Sequence, residues 1–538
     1  MADIATIRLY LRQAYLFGLM LLAASLTLSP FLMSVAQFWL VIVWIVDGIV
    51  GKDFKVKWNR FIHNKAAVLF VLFYLMHVIG LLYTVDFQYA LKDLRVKLPI
   101  LVLPFIMSGM PSLDRKRFDL LMLVYVFSVF VATLFSFITY VRHDYVDIRE
   151  ISRFISHIRF CLHIVFCIAI IAYYNIYKRR PPKGTGVPDY GKRYALDRFL
   201  KYVLAIWFVQ QIYIFESLSG DVILTAVVMV SALYAFLRWK KGRGWRIGIG
   251  VSTVVVLVFG MMLLVHWIKP LVEVKPVDFS TLEKKTSLGN DYWHDTIHNP
   301  IEDGKYVGLY YCRKELQEAW PQRSAMSIYG ETLNGELLEP TLARYLTSKD
   351  LRKDYEGVMA LTDEDINNIE QGVANYNNWK HPGLRARLSS TLFEYGLYRK
   401  YDNPNGGSLS QRIEFTRASL HIIRQHPLFG VGTGDVPQAF SRAYDEIHSP
   451  LKVEFRFRAH NQYLAIAVAF GLVGLVLFLI VLLYPYFSSK KHRTYLYTVF
   501  LCIMLLSMFP EDTLETQAGA SLFAFFEALL LVCDDVRG

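Results

Sequence analysis

A histidine set among arginines stands late in this chain. Arg456, Arg458 and His460 alternate with Phe455, Phe457 and Ala459. In an extended segment that alternation puts the three polar side chains on one face. An imidazole is largely neutral near pH 7 and can accept a proton. A guanidinium fork suits phosphate oxygens. The combination fits a hydroxyl activated beside an anionic substrate, and Asn461 adjoins the histidine and could orient it. Upstream, Gln411 to Gln425 has helical patterning. Steps of about 100° per residue set Arg412 among Ile413, Phe415, Leu420, Ile422 and Ile423, with Arg417, His421 and Arg424 on the other side. An arginine in an apolar arc is costly without an anionic partner. Gln411 and Arg412 therefore read as ligands for an anion, with Arg417 as a further cation nearby. His157 and Arg159 open another apolar run, where polar groups are expensive and often functional.

Other constellations carry less. Asp363-Glu364-Asp365 has the carboxylate spacing of a metal-nucleotide site, but Thr362 precedes it and a helical pattern follows, which reads as a capped helix start. His294 and His298 have the spacing of a zinc protease motif. Asp295 replaces the required glutamate, and Asn299-Pro300 would stop the helix that the motif needs. Gly430-Val431-Gly432-Thr433-Gly434 lacks the Lys-Ser/Thr pair and the preceding strand of a nucleotide loop. It reads first as a turn, although the helix start that follows would favour an anion. Cys312 is alone in its segment, and no Cys/His set suggests zinc. The reading is of a site with no metal and no cofactor.

These residues are set among apolar runs. The 538 residues are 54% hydrophobic, more than a soluble chain of this length usually carries. Crossing a bilayer as a helix takes about 20 apolar residues. Twelve runs are candidates, at 14–33, 35–50, 65–84, 96–110, 119–141, 157–177, 199–217, 221–237, 246–267, 460–487, 495–510 and 515–533. The first leads straight into the second without a small-x-small cleavage site, so it reads as a retained helix. Nine runs precede a polar segment and three follow it. The chain divides into 1–268, with nine transmembrane helices, a large extramembrane segment at 269–458, and 459–538 with three more. The fold class expected is an all-α polytopic membrane protein.

The net charge of +12 is mainly a topology signal. Lysines and arginines gather in alternate connections: Lys52, Lys55, Lys57 and Arg60; Arg115 to Arg117; Lys178 to Arg180 and Lys183; Arg238, Lys240, Lys241 and Arg243; Lys490, Lys491 and Arg493. The positive-inside rule makes these connections cytoplasmic and leaves both termini inside and the large segment outside. Scattered over short loops, the positives form no nucleic-acid patch. The external segment reads as mostly helical, with pieces at Thr341 to Thr347, Ile366 to Ala374, Gln411 to Gln425 and Val436 to Ile447. Asp435 is the expected N-cap of the last. Asn403 to Gly407 and Pro181 to Gly186 read as loops.

One set of residues resembles the O-antigen ligase and polymerase superfamily of bacterial envelope enzymes. It comprises Gln411-Arg412-Ile413-Glu414-Phe415, His426 through Gly430-Val431-Gly432-Thr433-Gly434-Asp435, Arg458-Ala459-His460-Asn461-Gln462-Tyr463-Leu464, and Phe470-Gly471-Leu472-Val473-Gly474-Leu475. The twelve-run plan with its large loop after the ninth run extends the likeness, and the Arg344 to Lys349 region looks like the Bacteroidetes versions. The resemblance implies a metal-independent membrane glycosyltransferase of the bacterial inner membrane, acting at its periplasmic face. Such an enzyme moves a glycan from an undecaprenyl-diphosphate carrier to an acceptor, either lipid A-core or a growing glycan. It maps the family's loop arginine on Arg412 and its catalytic histidine on His460. Arg458, Arg159, Arg417, Asn461, Gln411 and His157 are the further substrate-binding candidates. The chain departs from the family at Ser217-Leu218-Ser219-Gly220-Asp221, where an arginine is often found, so Arg159 or an outer-loop arginine must replace it. Ligase, polymerase and protein-directed oligosaccharyltransferase stay open as readings. A transporter without chemistry would need polar residues near mid-membrane and internal helix repeats.

Overall fold

The computed structural model describes residues 4–142, 148–177, 190–238, 243–274 and 276–532. The expected loop at Pro181 to Gly186, Cys533 and the cations at 178–183 and 240–241 lie outside the described residues. Each of the twelve apolar runs coincides with a helix. The first ten helices are α1 (Ile4–Leu28), α2 (Pro30–Gly51), α3 (Phe54–His63), α4 (Lys65–Ile79), α5 (Phe87–Gly109), α6 (Arg115–Arg142), α7 (His157–Tyr177), α8 (Tyr190–Ile214), α9 (Leu218–Arg238) and α10 (Arg243–Val272). Then come α11 (Arg313–Ala319), α12 (Leu338–Ser348), α13 (Tyr355–Met359), α14 (Asp363–Glu370), α15 (Tyr376–Lys380) and α16 (Leu384–Tyr401). The last five are α17 (Ser408–Gln425), α18 (Val436–Glu446), α19 (Gln462–Ser488), α20 (Tyr495–Ser507) and α21 (Gln517–Val532). The strands among the described residues are one hairpin, Ile301–Glu302 with Lys305–Tyr306. Among the described residues seven helices are long and apolar enough to cross a membrane: α1, α2, α4 with its extension to Tyr83, α6, α7, α9 and α19. The protein is an all-α membrane protein.

The chain forms two compact units, one of residues 1–251, 415–449 and 456–538, the other of 252–414 and 450–455. The sequence division assigned all of 269–458 to the external segment. Residues 415–449 and 456–458 of it, with α18 and the glycine-rich loop, pack with the first unit, where that loop bonds into α19.

In the first unit α1 pairs with α2 and packs on α6, α5 lies along α4 and α21, and α7 lies against α8, α9 and α20. The break between α1 and α2 falls at Ser29-Pro30, earlier than the apolar pattern placed it, because Ser29 caps α2 and Pro30 opens it. Proline suits the first turn, where its missing N–H costs nothing. The run at 460–487 is not one straight helix: α19 is interrupted at Gly471, with φ 62° and ψ −161°. The glycine-rich loop fills the break. Val431 and Gly432 donate their N–H groups to the carbonyls of Val468 and Ala469, while Leu472 and Val473 donate back to Pro427 and Leu428. A Cβ at Gly430 would lie 2.4 Å from backbone atoms of Ala469 and Phe470, and one at Gly471 2.3 Å from Leu428. Both positions need glycine for space and for φ. Irregular backbone at membrane depth is tolerated when protein groups satisfy it, and this loop satisfies α19. Its amides are therefore spent on the fold, which favours the turn over a phosphate loop. Asp435 stands at the N-cap of α18 but makes no cap bond. Its carboxylate accepts from the N–H groups of Val85 and Asp86 instead.

The second unit packs α11, α12, α13 and α14 around Leu316, Trp320, Leu342, Tyr345, Leu346, Val358 and Ile369. The Asp363-Glu364-Asp365 triplet begins α14, and Thr362 and Asp365 form a reciprocal capping box. Asp365 also accepts from Tyr345 Oη at 2.7 Å and Lys349 Nζ at 2.6 Å. His294 and His298 sit on a turn, not a helix: Asp295 accepts the N–H groups of Ile297 and His298. Helix α16 had no place in the sequence reading, because its polar and apolar residues form no clear stripe.

Candidate active site

The chain turns sharply at His460. Its φ is 44°, a left-handed conformation uncommon for a residue with a Cβ and frequent at functional sites. Asn461 then caps α19, accepting from Leu464 N at 3.0 Å and donating from Nδ2 to the Phe509 carbonyl at 2.9 Å. Asn461 thus sets the helix start and does not orient the imidazole. Gln462 fixes the same corner. It accepts from Leu514 N at 2.7 Å and donates to Glu515 Oε1 at 3.2 Å. These bonds hold the α20–α21 connection, with Glu511, Asp512 and Glu515, against the start of α19.

Five charged groups gather there with His460. Its Nδ1 lies 4.0 Å from Asp512 Oδ1. Arg458 Nε is 2.8 Å from Asp512 Oδ2, and its Nη1 is 3.2 Å from Glu515 Oε2. Arg159 Nη2 is 3.7 Å from Glu511 Oε2. The imidazole ring packs 5.4 Å from Phe415 and 6.2 Å from Phe457. Burial opposes the charge on Arg458, yet Glu515 and Asp512 hold its guanidinium above the ordinary range. Glu515 is buried between Arg458 and Lys97. Arg458 is thus committed to internal carboxylates. Arg456 pairs with Asp445 at 2.6 Å, so the expected shared face of Arg456, Arg458 and His460 is divided among separate partners.

Behind Arg458 the network continues. Lys97, buried in α5, reaches Glu515 at 2.8 Å and Asp93 at 2.5 Å. The space beside it is about 20 Å³, room for about one water. The apolar-run reading passed over this cation because it lies at the edge of its run, and it found no polar groups at depth. The carboxylates were also missed, because Glu511 and Asp512 fall in the few residues between two apolar runs. The one signal was a pair of adjacent acids between apolar runs.

His460, Glu511 and Asp512 can each bring one ligand atom within 4.8 Å of the others. The sequence reading expected no His/carboxylate cluster here, and the fold assembles one from segments about 50 residues apart. Both carboxylates already face arginines, so a cation would have to displace those pairs.

The other candidates are distributed as follows. Arg412 and Gln411 belong to the second unit and are half-buried on α17. The buried face of α17 runs through Glu414, Phe415, Ala418, Ser419 and Ile422, which puts Arg412 at its edge. Leu420, expected in the apolar arc, is exposed, and so is Arg417. His157 and Arg159 form the first turn of α7, both half-buried. A Cβ at Gly220, near the start of α9, would stand 3.1 Å from Cβ of Cys161. The stretch where the family resemblance leads one to expect an arginine therefore abuts the turn of α7 that bears Arg159.

Residues 358–479, which include Arg412 and His460, match the family model described as O-Antigen ligase. No curated protein matches the chain. Members of that family are glycosyltransferase-like membrane enzymes, and the match supports glycan transfer in general. Over these residues the chain is similar to the O-antigen ligase superfamily.

Proposed function

We propose that this protein transfers a glycan from an undecaprenyl-diphosphate carrier to an acceptor hydroxyl at the periplasmic face of the bacterial inner membrane, with lipid A-core as acceptor. The observation that carries the reading is His460, held in a left-handed turn with the Asp512 carboxylate 4.0 Å from Nδ1. The glycosyl diphosphate is already activated, so the enzyme mainly positions the reactants and stabilises charge. The acceptor oxygen attacks the anomeric carbon, its proton passes to His460, and the bond to the diphosphate oxygen breaks. Attack opposite the leaving group inverts the anomeric centre. Asp512 stabilises the imidazolium as it forms. Arg412 takes the part of the family's loop arginine toward the lipid diphosphate, with Gln411 and Arg417 as further contacts, and Arg159 and His157 are the candidates of the first unit for the same anion. Arg458, bound to Asp512 and Glu515, positions the carboxylate behind the histidine. The reading calls for no metal ion, because arginine can balance the charge on the leaving diphosphate. The alternating lysines and arginines support cytoplasmic termini.

The test is Arg412→Ala, assayed for transfer with purified lipid-linked donor. Transfer should be lost while expression and melting temperature stay normal. Arg412→Lys should also be poor, because lysine keeps the charge and loses the fork. Full activity of Arg412→Ala would remove the diphosphate role. The acceptor is tested in a deletion strain. Long lipid-linked polymer should accumulate, whereas single lipid-linked repeats would make the protein a polymerase.

A further inference from the structure

The second unit has a cavity of about 550 Å³ that the transfer mechanism does not use. This is the size of small-ligand sites. Trp293 and Tyr329 line it and are 56% and 64% exposed. Leu337, 59% exposed, lines the same cavity, and a contiguous exposed apolar patch of this kind marks binding grooves. Neither ring is on a loose loop. Trp293 exchanges backbone hydrogen bonds with Tyr311 at 2.8 and 3.0 Å, and Gly330 accepts from Leu338 N at the start of α12 at 3.0 Å.

The polar lining is planar and internally neutral. Arg313 Nη2 donates to Glu339 Oε2 at 2.8 Å, and Tyr311 Oη donates to Glu339 Oε1 at 2.8 Å. Arg344 makes a two-pronged pair with Glu302 at 2.8 and 2.9 Å. Every charged side chain lining the cavity thus has an opposite charge in the protein, so none is left over to select an ionic ligand. Aromatic faces carry negative charge density, which attracts the weakly positive C–H groups on the flat face of a pyranose ring. Oriented carboxylate and guanidinium edges suit the hydroxyls around that ring.

We infer that this cavity is a binding site for neutral oligosaccharide, stacked on Trp293 and Tyr329. That the saccharide belongs to the donor or acceptor of the transfer reaction rests on the reading above; the binding itself does not.

Full-length protein in lipid nanodiscs should be applied to an array of neutral and acidic oligosaccharides, and the strongest neutral probe titrated calorimetrically. Neutral probes should bind saturably and acidic ones more weakly. Trp293→Ala and Tyr329→Ala should each weaken binding about tenfold, as truncation of aromatic anchors does, and Trp293→Phe should keep most of it. If Trp293→Ala fails to fold, the exposed Tyr329→Ala decides. Absence of any neutral ligand, preference for acidic ones, or wild-type affinity in the variant that decides would overturn the site. In transfer assays the variants should raise KM for whichever substrate carries the bound glycan, with kcat kept. Sugar binding without transfer in the wild type would sink the transferase reading alone. Transfer that depends on Arg412 without sugar binding would sink this site alone.

Discussion

His460 and Glu515 illustrate two uses of charge at one corner of the fold. His460 faces a carboxylate at 4.0 Å and is 35% exposed at its side chain, so it is open to a substrate hydroxyl. General-base catalysis contributes roughly 10²–10⁴-fold, and His460→Ala should lower the transfer rate by that order. Wild-type activity should fall on the acidic side as the imidazole protonates, and the variant should lack that limb. A near-normal rate with the limb intact would demote His460 to a turn residue. Glu515 is buried beneath, between Lys97 and Arg458. Removing one partner of a buried pair leaves charge uncompensated, at about 3–5 kcal/mol. Glu515→Ala should therefore reduce folded yield and melting temperature in detergent. Unchanged melting would mean that Lys97 has Asp93 as a sufficient partner.

At the scale of elements, α14 depends on its first turn. Asp365 closes the capping box and takes the Lys349 ammonium and the Tyr345 hydroxyl. Burial raises its pKa, but the Lys349 bond and the cap outweigh that and bring it from 3.8 to about 2. A depressed carboxylate stabilises the fold above its ordinary pKa, and the contribution is lost as pH falls from about 4 toward 2. With allowance for solvent screening the effect is on the order of 1 kcal/mol. Asp365→Asn should lower stability by that amount at pH 7 and show a flatter dependence through the acid window. Proteolysis of sites in α12–α14 in detergent-solubilised protein would report it, and equal protection of variant and wild type at pH 7 would refute the assignment.

For the whole molecule the question is which side of the membrane each unit occupies. The topology proposed from the lysines and arginines in alternate connections predicts that residues 350–400 lie outside the cytoplasm. A phosphatase reporter fused there should be active as periplasmic enzymes are, and a cytoplasm-dependent reporter should be silent; the reverse pattern would invert the topology. The buried Lys97 network is the kind of polar group a transporter would carry. Its charge is already met by Asp93 and Glu515, and the adjoining space holds about one water. A transport route would need a larger wet cavity, so this network is better read as a support for the corner at His460.

The sequence by itself determined the apolar helices, because apolar runs near membrane thickness have few other solutions. It also determined the candidate residues Arg412 and His460, which lie in motifs of contiguous residues. The capped start of α14 was legible for the same reason: a cap is a matter of four or five neighbouring residues. Tertiary structure alone decided what each charge faces. Asp512 meets His460 across about 50 residues, and Lys97 meets Glu515 across more than 400. No local pattern encodes such pairs. It also decided that Asn461 is a cap, that Arg458 points at carboxylates, and that a glycine-rich loop completes a broken helix. In each case the side chain could have served either role by type. What selected one was the burial of a partner brought near by the rest of the chain, since a buried polar group without a partner costs more than any local preference supplies.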